Sequence, residues 1–374
     1  MHKKISYFSI LLRGVAHAVL HGFAKTPPKN PKVIVVFQMA QLGDMVCTTP
    51  VFRALKSAYP KSQLYVVGQP QYQELLRHNQ DVDEYIPFTE FDEVLARFSQ
   101  LSVDVAISVA PSFTALAIAY LGGAKAIMVP RVENGFSPND TRMYRLLSIV
   151  AITRPHRMGS YAPAEYLRLL EPLGITTDDT QKHLGFSSEA GEEIDNFFQK
   201  NSISENDVVV GISVSSGNKI KNWGADRFAR VADYIYAHYA ARIILIGGPA
   251  DTEEVIAFKG AVSSGTPIID ASHALSLDAL KALMARMQVF VAVDTGPVYI
   301  AEAFGVKTVD IVGPVDEREQ PPRGRGHVVV LWKERKEPVV HIMNARIYDY
   351  TEARRQVERI TVEDVCAAFD SLMK

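Results

Sequence analysis

Apolar residues recur along this chain with two alternating periods. Residues 32–37 (KVIVVF) form a short β-branched run, and a glycine-containing turn leads into helical spacing from about Thr48 to Ala58. The alternation repeats through QLYVVG (63–68), QELLRHN, DEYIPF (83–88), DEVLARF, DVAISVA (104–110) and an apolar helix at 112–121. Strand and helix in turn predict a parallel sheet covered by helices. After a charged, mostly helical stretch at 139–200, a second series runs through VVVGISV (208–214), ARIILIGG (241–248), PIIDAS (267–272), VFVAV (289–293) and KTVDIVG (307–313). The expectation is an α/β chain of two Rossmann-like halves with a cleft between them. The boundary is expected near Gly185 to Ser188, within the polar segment DDTQKHLGFSSEAGEE, so that the domains span 31–185 and 186–374. TVEDVCAAFDSLMK begins at a good cap residue, Thr361, with Asp364 three residues on, and closes the second half.

Residues 1–30 read as a separate extension. They begin basic and turn apolar, but Arg13, His17 and His21 interrupt a run already shorter than the roughly 18 uncharged residues a spanning helix needs. Apolar Ile10, Leu11, Val15, Val19 and Leu20 against basic Lys4, Arg13 and His17 suit a helix lying on a membrane surface; a packed helix or simple appendage suits them too. With 374 residues and 47% hydrophobic content, the chain is long enough for two cores. A net charge of −2 argues against a global polyanion binder, so nucleic acid is not expected as a partner. Cys47 and Cys366 are the two cysteines and lie far from any metal-ligand spacing, which fits a reducing cytoplasm and predicts neither disulfide nor zinc.

In open parallel sheets ligands bind beyond the carboxyl ends of the strands, so the residues directly after strands carry most of the chemical information. After the first strand comes QMAQLGDMVCTTP, where Gly43 permits a tight turn and Asp44 stands at a helix entry. Asp44 is read two ways, as a general base for an acceptor hydroxyl or as a helix cap. No GxGxxG fingerprint and no GxxxxGK[ST] loop occurs, which disfavours hydride transfer and nucleotide hydrolysis. In GISVSSGNKIKNWGADRF, Ser215, Ser216 and backbone amides offer donors, and Lys219 or Lys221 offers a cation for a diphosphate; the alternative is a solvated loop. In VFVAVDTGPVYIAEAFGV a strand runs into Asp294, Thr295, Gly296 and Pro297 and then a helix, whose first amides and dipole favour an anion. There too, Asp294 and Thr295 are also readable as caps.

Together these segments resemble glycosyltransferase family 9, the heptosyltransferases of lipopolysaccharide core synthesis, over residues 32–370. The family's opening pattern stands here as LGDMVCTTPVFRALKSAYP (42–60), its interdomain segment as HRMGSYAPAEYLRLLEPLGI, and SSGNKIKNWGADRFARVADYI, IILIGGPADTE and VDTGPVYIAEAFGVKTVDIVGP follow in order. The resemblance implies a GT-B fold, with an acceptor-binding domain at 31–185 and a donor-binding domain at 186–374. It implies inverting transfer of a heptose from ADP-heptose to the lipopolysaccharide inner core, without a cofactor or tightly bound metal, in the cytoplasm, with possible peripheral contact at the inner membrane. Asp44 matches the family's base. Lys221, two residues before Trp223, matches its phosphate-contacting lysine, and Ser215, Ser216 and Lys219 stand beside that site. Asp294, Thr295, Gly296 and Pro297 match the donor loop, so Lys221 and the amides at 295–297 would stabilise the departing ADP.

Two positions depart from the family pattern: Gly224 follows Trp223 where proline is usual, which would loosen the helix start, and Tyr299 replaces a donor-loop histidine. Tyr299 keeps other readings open, namely a different nucleotide sugar or acceptor, or a catalytically silent binding protein. For an acidic acceptor, Gly43 and the cations Arg131, Arg142, Arg145, Arg154 and Arg157 are candidate contacts. The pair Asp81 and Asp83 forms the chain's DxD, placed between helix and strand, where a turn role is expected instead of metal binding.

Overall fold

The β-branched run after Pro31 becomes β1 (Val33–Gln38), and the chain continues through α1 (Leu42–Ala58), β2 (Gln63–Gly68), α2 (Gln73–Leu76), β3 (Glu84–Pro87) and α3 (Phe91–Gln100). Then come β4 (Val105–Ser108), α4 (Phe113–Leu121), β5 (Ala126–Asn134), α5 (Arg142–Ser148), β6 (Ile152–Arg157) and α6 (Ala162–Arg168). The computed structural model describes residues 10, 12–16, 26–324 and 326–374, and the chain divides between Gln181 and Lys182 into two units. The second unit runs α7 (Ser188–Lys200), β7 (Val209–Ser213), α8 (Ala225–Tyr239), β8 (Arg242–Ile246), α9 (Thr252–Ala261) and β9 (Ile268–Asp270). It ends with α10 (Leu277–Met284), β10 (Val289–Val293), α11 (Gly296–Ala303), β11 (Lys307–Ile311), β12 (His327–Val330), α12 (Tyr350–Glu358) and α13 (Val362–Met373).

Both sheets have six parallel strands. Their orders are β3-β2-β1-β4-β5-β6 and β12-β11-β10-β7-β8-β9, the same doubly wound topology read from opposite edges. The strand order therefore reverses between β1 and β4 in one unit and between β7 and β10 in the other. Such reversal leaves a crevice at the carboxyl ends of those strands, where adjacent connections leave for opposite faces of the sheet. The central strands are buried on both faces, which is why they read as unbroken apolar runs. Each unit has its own core: Val35, Phe37, Val67, Phe98 and Leu116 in the first, and Val210, Ile212, Phe228, Val291 and Phe369 in the second.

Several elements differ from expectation. Helix α1 starts at Leu42, six residues earlier than expected, so Gly43 lies inside a helix and not in a turn. Strands β5, β6 and β12 were not anticipated. Pro130 and Pro155 disguise β5 and β6, yet β6 is an edge strand, and the pairing of β5 with β4 ends at Met128, before Pro130. In the N-terminal extension, Ile10 is buried in the first core, Gly14 faces Leu147, and the Arg13 guanidinium donates to Leu121 O (2.9 Å). Leu11, His17, Val19, Leu20 and His21 lie outside the described residues, and with them most of the surface-helix reading. No helix among the described residues is long and apolar enough to cross a membrane.

Candidate active site

In the first unit the reversal point carries Asp44. The side chain of Gln38, buried at the end of β1, donates to Thr48 Oγ1 (2.8 Å) and Asp44 O (3.3 Å) and accepts from Ala40 N–H (3.2 Å), which docks the first turns of α1 against the strand. The connecting loop is braced from β2 and β3. Gln69 donates to Met39 O (2.9 Å) and Ala40 O (3.1 Å), Tyr72 donates to Gln41 Oε1 (2.9 Å), and Tyr85 donates to Gln69 O (2.6 Å). Asp44 sits half-buried in the first turn, and its Oδ2 accepts the Gln41 N–H (3.0 Å). It therefore does cap the helix. A carboxylate that caps remains an acceptor for a further proton, so the capping geometry fixes where a base would stand instead of excluding one.

The second unit assembles its groups at the β7/β10 reversal. The loop after β7 folds on itself: Ser216 N–H donates to Asn222 Oδ1 (3.0 Å), Ser216 Oγ donates to Asn218 O (2.8 Å), and Arg354 donates to Asn222 O (2.7 Å). Trp223 anchors the loop from below, with its Nε1–H on Ile360 O (2.9 Å) and its ring edge-on to Phe228. Gly224 adopts φ 120° immediately before α8, a backbone closed to proline. Glycine is thus the N-cap of α8, with no side chain to cap it.

The two lysines have separate assignments. Lys219 Nζ reaches Glu254 (2.8 Å), Asp251 (3.4 Å), Ser215 Oγ (2.8 Å) and Ala250 O (3.0 Å), so it ties the loop to the start of α9. Burial works against its charge, but the Glu254 carboxylate outweighs that and raises its pKa. Lys221 instead meets Asp294 Oδ2 (2.8 Å), across the point where the sheet order reverses. Asp294 also accepts the Tyr299 hydroxyl on Oδ1, and its backbone N–H is paired with Ile311 O (3.1 Å). Tyr299 is buried and spent on this carboxylate.

Helix α11 begins at Gly296 with Thr295 as N-cap, and the Thr295 side chain makes no capping hydrogen bond. Pro297, within the first helical turn, carries no N–H, so the expected amide series at 295–297 reduces to Thr295 and Gly296. Lysine Lys221, those amides and the α11 dipole all favour an anion of two or more charges.

The candidate acceptor cations are all exposed or half-exposed on the first unit, and three have carboxylate partners. Arg145 pairs with Asp140 (2.8 Å), Arg154 with Glu171 (3.2 Å) and Arg157 with Glu133 (3.8 Å); Arg131 and Arg142 are exposed. Asp83 Oδ2 takes Lys56 (2.7 Å) and Leu64 N–H (2.6 Å), and the Asp81 backbone N–H donates to Asn79 Oδ1 (2.9 Å) in the turn before β3. One titratable cluster gives no signal in the sequence. Asp316, Glu319 and His341 bring three possible ligand atoms within 4.8 Å of one another in the loops beyond β11. The Asp316 and Glu319 carboxylates, 3.4 and 3.6 Å from its Nδ1, raise His341 to about 9. Burial raises Asp316, but His341 and the bidentate Arg318 outweigh it and hold the carboxyl well below its ordinary range.

Residues 139–346 match the model of glycosyltransferase family 9 (heptosyltransferase). Lipopolysaccharide heptosyltransferase 3 of Escherichia coli is 21% identical over 88% of this chain and 95% of its own length. A family 9 glycosyl transferase from Veillonella parvula superposes with a TM-score of 0.75 at 22% identity, covering 91% of this chain and 97% of that one. Escherichia coli ADP-heptose lipopolysaccharide heptosyltransferase II does so with 0.70 at 17%, covering 91% and 98%. With a matched segment exceeding half the chain and two doubly wound sheets of the GT-B type, this chain belongs to glycosyltransferase family 9 and is a glycosyltransferase.

Proposed function

We propose that the chain transfers a heptose from ADP-heptose to the lipopolysaccharide inner core with inversion at the anomeric carbon. The observation that carries this reading is the Lys221–Asp294 pair at the sheet reversal of the second unit, beside the amides that open α11. In the resting protein Asp294 holds Lys221 in place. When a diphosphate arrives, the lysine exchanges a carboxylate for phosphate oxygens and offsets the charge that grows on the leaving ADP. Residues 186–374 thus form the donor domain and 31–185 the acceptor domain. Asp44 takes the proton of the acceptor hydroxyl, its orientation fixed by the Gln41 N–H. Names of the relatives, lipopolysaccharide heptosyltransferase 3 and ADP-heptose heptosyltransferase II, support donor and acceptor alike.

The reading includes a cytoplasmic enzyme in peripheral contact with the inner membrane. On α5, exposed Arg142 and Arg145 share a helical face with Leu146 and, one residue beyond its end, Ile149 (47% and 63% exposed), a mixture suited to an anionic lipid surface. Calorimetry with ADP-heptose, ADP-glucose and UDP-sugars, followed by transfer to heptose-deficient lipopolysaccharide, tests the proposal. ADP-heptose should bind best, and Asp44→Asn should lower turnover by at least about a hundredfold with donor affinity intact. A UDP preference favours the reading in which Tyr299 reshapes the site for another sugar; unchanged turnover in Asp44→Asn removes the base.

A further inference from the structure

Behind the Lys221–Asp294 pair lies a carboxyl to which the mechanism above gives no part. Asp310 of β11 stands in register with Ala292 of β10, so it shares a sheet face with Asp294 two residues farther along. It is fully buried, and neither of its carboxyl oxygens has a hydrogen-bond partner. An ionised carboxylate there would have no protein donor to stabilise it.

The surroundings settle its charge. Asp294 faces it from the end of β10, Glu302 belongs to α11, and Lys221 belongs to the loop after β7. Glu302 is itself paired with the fully buried Lys182 (2.7 Å) and accepts the Arg323 N–H (3.2 Å). His327 of β12, bonded to Thr308, is kept neutral by burial, which lowers it to about 4. Lys221 and Lys182 therefore balance Asp294 and Glu302, and an ionised Asp310 would be one negative charge in excess. Burial and the Asp294 charge push Asp310 well above the carboxylate range; Lys221 opposes them and Glu302 adds to them.

We propose that Asp310 is a positioning residue for the phosphate-binding lysine, a neutral carboxylic acid behind Asp294 whose ionisation tightens the hold of the acidic cluster on Lys221 and withdraws it from a diphosphate. The proposal rests on the donor-site reading above. An added negative charge near Asp294 makes the resting ion pair stronger and at the same time repels an incoming diphosphate. Both effects act in one direction, so donor affinity falls as Asp310 loses its proton.

ADP calorimetry on the full chain from about pH 6 to about pH 9 tests this. Wild type should lose affinity by roughly five- to tenfold over the pH interval in which Asp310 ionises, through one added charge. Asp310→Asn should match wild type at the acid end and keep that affinity as the pH rises while wild type falls, and Asp310→Ala, which leaves no polar atom to strand, should keep it too. A second readout needs no ligand. A buried acid with a raised pKa destabilises the fold above its unfolded pKa, so Asp310→Asn should melt higher than wild type at neutral pH, with the difference shrinking toward about pH 4. Parallel affinity profiles for wild type and both variants, or equal melting temperatures at every pH, overturn the role of Asp310. Absence of ADP binding by wild type overturns the donor-site reading, and the positioning role with it.

Discussion

At the scale of single residues, the two lysines after β7 show how much chemistry three positions of sequence can separate. Both stood in the sequence as candidates for a diphosphate, because charge and spacing cannot tell which partner each will meet. The fold gives Lys219 to Glu254 and Lys221 to Asp294. Lys221→Ala should therefore weaken ADP binding by about 1.5–3 kcal/mol, or roughly 10- to 150-fold, as the loss of a charge-assisted contact. Lys219→Ala should change it by less than about threefold, its ion pairs being half-exposed. Calorimetry of the two variants side by side checks the assignment, and equal losses would reject it. Asp44 and Asp294 were legible because each lies where a strand hands over to a helix. Asp310 was not: it is one acid inside the apolar run KTVDIVG, and only register reveals that it shares a face with Asp294.

At the scale of elements, most strands were readable from their apolar runs, whereas β5, β6 and β12 were not. Edge and terminal strand segments escape burial on one side, so they tolerate Pro155, Arg154 and Arg157, and their composition resembles a loop. The start of α1 was misplaced for a related reason, since glycine in LGD suggested a turn that the Gln38 and Gln41 hydrogen bonds replace with helix. Gly224 is the clearest element-level test. A side chain at φ 120° is strained, and a Cβ there would lie 2.9 Å from Asp226 Oδ1. Gly224→Ala should cost about 1–3 kcal/mol of stability, read by thermal or denaturant unfolding, and should weaken ADP binding by disturbing the Lys221 loop. A variant as stable as wild type would show that the backbone can relax.

At the scale of the molecule, two sheets of identical strand order put their chemical groups at equivalent reversal points, one presenting an acid on a helix and the other a cation beside a helix. The sequence reading placed the division near Gly185 to Ser188, four residues after the observed one, and the difference matters for Lys182. This fully buried cation neutralises Glu302 of the helix that follows the donor loop. A fragment spanning 182–374 should fold, and one spanning 186–374 should be less stable by about 3–5 kcal/mol because Glu302 is left buried and unpaired. Chemical denaturation of both fragments measures the difference, and equal midpoints would deny the buried pair its role.

Trp223, described above as the anchor of the phosphate loop, has an optical consequence. The chain holds two tryptophans, and the other, Trp332, lies under the Arg355 guanidinium in a different segment. With Trp332→Phe, all indole emission arises two residues from Lys221, from a buried ring whose N–H is tied to Ile360 O. Any rearrangement of that loop on nucleotide arrival changes the polarity around a single chromophore, so the enzyme carries its own spectroscopic meter for donor occupancy.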